Sequence, residues 1–131
     1  MRLFVTLLVA GSLNTVAVAD DAAVKMTKDE LLAFLPGTNV THVNKGGSTR
    51  RWTNDPDGTL AASTDNKKYG SGMGVRIHTS RGTWKVSDDG KYCIDIDWKR
   101  EAEKWCYSVL KAADGYFLGS VDPGHKIEFA K

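Results

Sequence analysis

The sequence predicts a mainly β fold, a small antiparallel β-barrel or sandwich of about eight strands with one short N-terminal helix. Three observations predict it. From Val40 to Ala130, short apolar or alternating runs recur at a spacing of roughly ten residues. Clusters of Gly, Pro, Asp and Ser separate these runs at hairpin length. Helical periodicity occurs once after the leader, over residues 27–37. A length of 131 residues suits one domain, not two.

Residues 1–19 read as a signal peptide. Met1-Arg2 supplies a positive start, Leu3 to Ala10 an apolar run, and Ala17-Val18-Ala19 the small residues a signal peptidase reads. No cysteine follows that could carry a lipid anchor, so the expected destination is a bacterial periplasm or the exterior. Residues 20–26 are expected as a flexible lead, and residues 27–131 as the single β-rich domain. Thr27-Lys28-Asp29-Glu30 has the form of a capping box. Leu31, Leu32, Phe34 and Leu35 make an apolar stripe, and Pro36-Gly37 stops the helix. So short a helix cannot stand alone and must plug or flank the sheet.

Expected strands are Val40–Val43, Arg50–Asn54, Thr59–Ser63, Gly74–His78, Gly82–Val86, Tyr92–Trp98, Lys104–Leu110, Tyr116–Val121 and Lys126–Ala130. Pro56 and Pro123 fall in turns, where a missing N–H does no harm. The two cysteines, Cys93 and Cys106, pair as a structural disulfide in an oxidising compartment. Their spacing suits neither a zinc site nor a C-x-x-C redox pair. A hairpin centred between Lys99 and Arg100 sets Cys93 opposite Cys106, Ile94 opposite Trp105 and Asp95 opposite Lys104. Alternation then turns Tyr92, Ile94, Ile96 and Trp98 to the core and leaves the disulfide on the outer face.

Candidate chemistry is sparse. His42, His78 and His125 fall on separate segments without metal-ligand spacing and read as scattered surface histidines. Asp95 and Asp97 share a strand face, but Lys104 neighbours them and solvent is their expected partner. Asp88-Asp89-Gly90 lacks the remaining ligands of a calcium loop and suits a hairpin turn with Gly90 at positive φ. The run Tyr69-Gly70-Ser71-Gly72-Met73-Gly74 precedes a strand rather than a helix, so it is no phosphate loop. It serves better as a mobile binding lip. No G-x-S-x-G elbow appears. No cofactor, no metal and no catalytic residue is implied.

Charge is nearly balanced, with a formal net of +2, which excludes a histone-like nucleic-acid binder. No segment after the leader is long and apolar enough to span a bilayer. The balance is uneven along the chain. Between Val40 and Val86 stand Lys45, Arg50, Arg51, Lys67, Lys68, Arg76, Arg81 and Lys85 against Asp55, Asp57 and Asp65. Arg50-Arg51-Trp52 and Lys67-Lys68-Tyr69 place aromatics beside the charges. The candidate binding residues are therefore Arg50, Arg51, Trp52, Lys67, Lys68, Tyr69, Arg76 and Arg81, facing an anionic protein, lipid headgroup or cell-wall polymer.

Gly82-Thr83-Trp84-Lys85-Val86, Asp89-Gly90-Lys91-Tyr92-Cys93 and Trp105-Cys106-Tyr107 follow a helix, Leu31-Leu32-Ala33-Phe34-Leu35-Pro36-Gly37, that ends in Gly. The pattern resembles a family of small exported Gram-negative bacterial proteins known only as a domain of unknown function. It covers most of residues 27–118, and it carries no activity to transfer. The architecture also resembles lipocalin-like barrels and small periplasmic lysozyme inhibitors at the level of fold alone.

Three function classes follow. A non-enzymatic binding module for a small or lipidic ligand requires a cavity lined by some of Trp52, Trp84, Trp98 and Trp105. A protein-binding inhibitor or immunity protein requires a solid core and a protruding loop such as Asp65–Met73. A hydrolase requires a cleft that joins acids or histidines. Binding is favoured over catalysis.

Overall fold

The computed structural model describes residues 23–44, 47–65, 78–99 and 101–131. The segment expected as a signal peptide, residues 1–19, lies outside these residues. The elements in chain order are β1 (Val24–Lys25), α1 (Lys28–Phe34), β2 (Asn39–Val43), β3 (Thr49–Asn54), β4 (Thr59–Thr64), β5 (His78–Val86), β6 (Tyr92–Trp98), β7 (Glu101–Tyr107), β8 (Val109–Ala112), β9 (Gly115–Leu118) and β10 (Lys126–Ala130). A 3-10 turn, Pro123–His125, precedes β10. The strands form one antiparallel sheet in the order β1-β8-β9-β10-β2-β3-β4-β5-β6-β7, curled into a half-barrel.

The helix forms where the capping box predicts. The Glu30 N–H donates to Thr27 Oγ1 at 3.2 Å, and the Thr27 N–H donates to Glu30 Oε1 at 3.2 Å. Leu31 and Leu35 are fully buried, whereas Leu32 is exposed and leaves the expected stripe. Gly37 turns at φ +79°, and its N–H reaches the Asn54 carbonyl at 2.6 Å. Phe34 stacks on Tyr116 and meets Phe129 edge-on, both at 5.4 Å between centroids. The helix thus caps the end of the half-barrel that holds Asn54 and the Ser87–Gly90 turn.

Four expectations need correction. Of the lead expected to be flexible over residues 20–26, Val24–Lys25 pairs with Lys111 and Leu110 of β8, and Met26 is buried. The single strand expected over Lys104–Leu110 is two strands. The Ser108 carbonyl accepts the Gly119 N–H at 2.8 Å, and the bend there sends Val109 away to pair with Leu118. The strand expected over Tyr116–Val121 ends at Leu118, because Gly119 turns the chain at φ +77°. Gly82–Val86 is the second half of a longer strand that begins at His78; residues 74–77 of the expected preceding strand lie outside the described residues.

The β6–β7 hairpin has the register the sequence requires, with Cys93 opposite Cys106, Ile94 opposite Trp105 and Asp95 opposite Lys104. Cys93 and Cys106 are disulfide-bonded. Tyr92, Ile94, Ile96 and Trp98 are buried, while Asp95 and Asp97 are exposed on the other face. Gly82 admits β6 beside β5: a Cβ there would sit 2.1 Å from the Asp95 carbonyl oxygen.

The curl carries β3 and β10 over β6. Tyr92 lies 6.2 Å from Phe129, and Trp52 lies 6.3 Å from Trp105, between ring centroids. A buried hydrogen-bonded chain fixes this closure. The Trp52 indole donates to the Tyr92 hydroxyl at 2.8 Å, which donates to Asn54 Oδ1 at 2.5 Å. The Asn54 amide donates to the Thr38 hydroxyl at 2.9 Å, which donates to the Leu35 carbonyl at 2.7 Å. Every buried member has a partner, so the hydrogen bonds offset the cost of burying these groups and rigidify the core.

Candidate functional site

Interior chemistry gathers at the end opposite the helix. Alternation along β3 turns Arg50 and Trp52 inward and Arg51 outward. Arg50 pairs with the Glu103 carboxylate from β7, and the two side chains retain only 17% and 9% of their exposure. The guanidinium also lies 5.6 Å from the Trp98 ring centroid, a cation–π distance. Glu103 takes two further donors, the Trp98 indole at 3.2 Å and the Trp105 indole at 2.9 Å. A buried carboxylate so held is committed to structural contacts.

His42 is the cross-strand neighbour of Arg50. Burial lowers its pKa below the usual 6.5; Glu103 opposes that shift, while Arg50 and His125 add to it. The histidines are therefore not all scattered: His42 and His125 interact electrostatically, whereas His78 is exposed at the start of β5. His125 Nδ1 makes a 2.9 Å hydrogen bond with the Leu118 carbonyl oxygen. Burial also pushes the Tyr92 hydroxyl far above its ordinary value, so it serves as a neutral hydrogen-bonding group. Among the described residues no group of three or more His, Cys, Asp or Glu side chains is placed to hold a metal ion.

The four tryptophans are committed to the protein itself. Trp52, Trp84 and Trp98 are buried, and Trp105 packs half-buried against the same core. The Trp84 indole donates to the Asp55 carbonyl at 2.8 Å, and the other three indoles reach Tyr92 or Glu103. Neither of two clefts found among the described residues is lined by a tryptophan. One, of about 320 Å³, lies between the start of the helix and the Asp88–Gly90 turn.

The larger cleft, about 550 Å³, is lined by Ala61, Ala62, Ser63, Thr79, Ser80 and Arg81. Register places Arg51 opposite Ser63 and Arg81 opposite Ala61, so both arginines stand on the outer face with small side chains between them. Both are exposed, and neither has an ion-pair partner among the described residues. The expected basic surface thus divides. Arg50 and Trp52 belong to the core, Arg51 and Arg81 to the surface. Lys67, Lys68, Tyr69 and Arg76 lie outside the described residues.

Sequence reasoning missed Glu103. The signal was present: the register that joins the two cysteines also sets Glu103 opposite Ile96, on the core-facing parity. A carboxylate there requires a buried partner, and an inward arginine on another strand is the obvious one.

A family model with the description protein of unknown function, DUF995, matches residues 4–108. That match ends at Ser108, the bend after β7. No curated protein and no solved structure matches the chain. Because the family model spans most of the sequence, from the N-terminal apolar run to the end of the disulfide hairpin, the chain belongs to the DUF995 family of proteins of unknown function.

Proposed function

We propose that this protein is an exported, non-enzymatic binding module that recognises an anionic partner on the outer face of its sheet, at Arg51 and Arg81. The observation that carries the reading is a contrast between the two faces. Inside, Trp52, Trp84, Trp98 and Trp105 fill the space a small or lipidic ligand needs, and their indoles are spent on protein acceptors. Outside, two exposed arginines flank a cleft floored by Ala61, Ser63 and Thr79. Guanidinium groups suit carboxylate and phosphate oxygens, and the neighbouring hydroxyls add donors. Catalysis lacks support for the same reason: Glu103 accepts three donors and has 9% of its exposure left. Export is supported by the leader-like N-terminus and by the disulfide. No helix among the described residues is long and apolar enough to cross a membrane.

The test compares the oxidised chain over residues 20–131 with its Arg51→Glu/Arg81→Glu double variant at low salt. The probes are tripolyphosphate, polyglutamate and phosphatidylglycerol vesicles. The wild type is expected to bind at least one of them, more weakly as salt rises, and the variant about tenfold less tightly. Binding to none, or equal binding by both proteins, would overturn the reading.

A further inference from the structure

Among the described residues the sheet does not close: β1 and β7 are its two outermost strands. The edge on the β1 side is short: β1 is two residues long and pairs with Leu110 and Lys111, and the Met26 N–H reaches the Val109 carbonyl at 2.9 Å. The opposite edge, β7, is seven residues long and has one paired neighbour, β6, among the described residues. Which backbone groups face that free edge follows from the disulfide. Cys93 and Cys106 have Cα atoms 4.0 Å apart, the close approach of a non-hydrogen-bonded antiparallel pair. Alternation then makes Asp95–Lys104 and Asp97–Ala102 non-hydrogen-bonded pairs as well. The N–H and C=O groups of Ala102, Lys104 and Cys106 therefore point away from β6. All three residues are exposed.

We propose that this edge takes up an extended segment of a partner protein by strand addition. A free row of donors and acceptors is a template for another strand, and side-chain pockets beside it set the specificity. On the inner side of β7 stand Trp105, half-buried, and Tyr107, 40% exposed, with their rings 5.4 Å apart. On the outer side, Lys104 stands between Ala102 and Cys106. The segment that fits alternates apolar side chains inward with acidic ones outward, opposite Lys104.

A second copy of β7 fits poorly. An antiparallel pair centred on Lys104 sets two ammonium groups face to face, and one centred on Glu103 does the same to two carboxylates. These two registers are disfavoured for a second copy, whereas a complementary strand meets no such repulsion. This inference stands independently of the Arg51 and Arg81 reading.

The test is backbone amide exchange of the oxidised chain over residues 20–131, alone and with about 1 mM of a capped heptapeptide, the weak end of peptide affinities. One peptide alternates valine with glutamate, the other valine with lysine. The Ala102, Lys104 and Cys106 amides are expected to exchange freely in the protein alone. The glutamate peptide slows them about tenfold and the lysine peptide does not. Lys104→Glu, an exposed substitution, reverses the preference. Protection of the three amides without peptide, failure of both peptides to slow them, or an unreversed preference in the variant would each overturn the proposal.

Discussion

His42 is a histidine whose protonation the fold disfavours. It sits on β2 beside Arg50, with Glu103 and His125 in its field, and burial is the largest influence on its pKa. The sign of the consequence is fixed. The unfolded chain protonates this ring near its ordinary 6.5, whereas the folded chain does so only at lower pH. The unfolded state therefore binds the proton first. The stabilisation is complete above about pH 6.5 and is lost as pH falls from there through the folded-state value. Urea midpoints measured between about pH 8 and pH 5 should decline on the acid side, and His42→Gln should flatten that decline. An identical decline in the variant would assign the effect to other groups. The same neighbourhood shows how far a residue pattern reaches. Arg50-Arg51-Trp52 reads as one basic-aromatic patch, but a strand sends alternate residues to opposite faces, and only Arg51 reaches solvent. The partner that makes an inward Arg50 tolerable comes from β7, 53 positions along the chain.

Among the elements, the β6–β7 hairpin was the most legible. Two cysteines and an alternating run suffice to fix its register, because a slip of one residue would bury Asp95 and Asp97 and break the disulfide. The Thr27–Glu30 capping box was legible for a similar reason, being local chemistry over four residues. The division at Ser108 was not legible. Lys104–Leu110 alternates without a Gly or Pro, and the break depends on Gly119, which donates its N–H to the Ser108 carbonyl from the β9 side. Pairing of Val24–Lys25 was hidden in the same way, since two residues carry no periodicity and their partner β8 comes late in the chain. The disulfide hairpin also carries a stability prediction. Cys93→Ser should destabilise the domain by about 2–5 kcal/mol, read from denaturant midpoints with the wild type confirmed oxidised. An unchanged midpoint would deny the bridge its structural role.

At the scale of the whole molecule, composition and turn spacing led to a small antiparallel β fold, and the half-barrel is one. They could not say whether its interior would be hollow. That depends on where the large side chains meet across the curl. Trp52 from β3 meets Trp105 from β7, Tyr92 from β6 meets Phe129 from β10, and the Trp52 indole bonds to Tyr92. These contacts join residues far apart in the sequence, and they turn a predicted chamber into a packed core. The proposed recognition sites accordingly lie on the outer face and at the β7 edge. The most direct test is native mass spectrometry of the chain over residues 20–131, purified gently from its own host. The account predicts a bare mass with one disulfide. An adduct of roughly a few hundred daltons, the size of a pocket-bound ligand, that is lost on denaturation would contradict it and restore the barrel interior as the binding site.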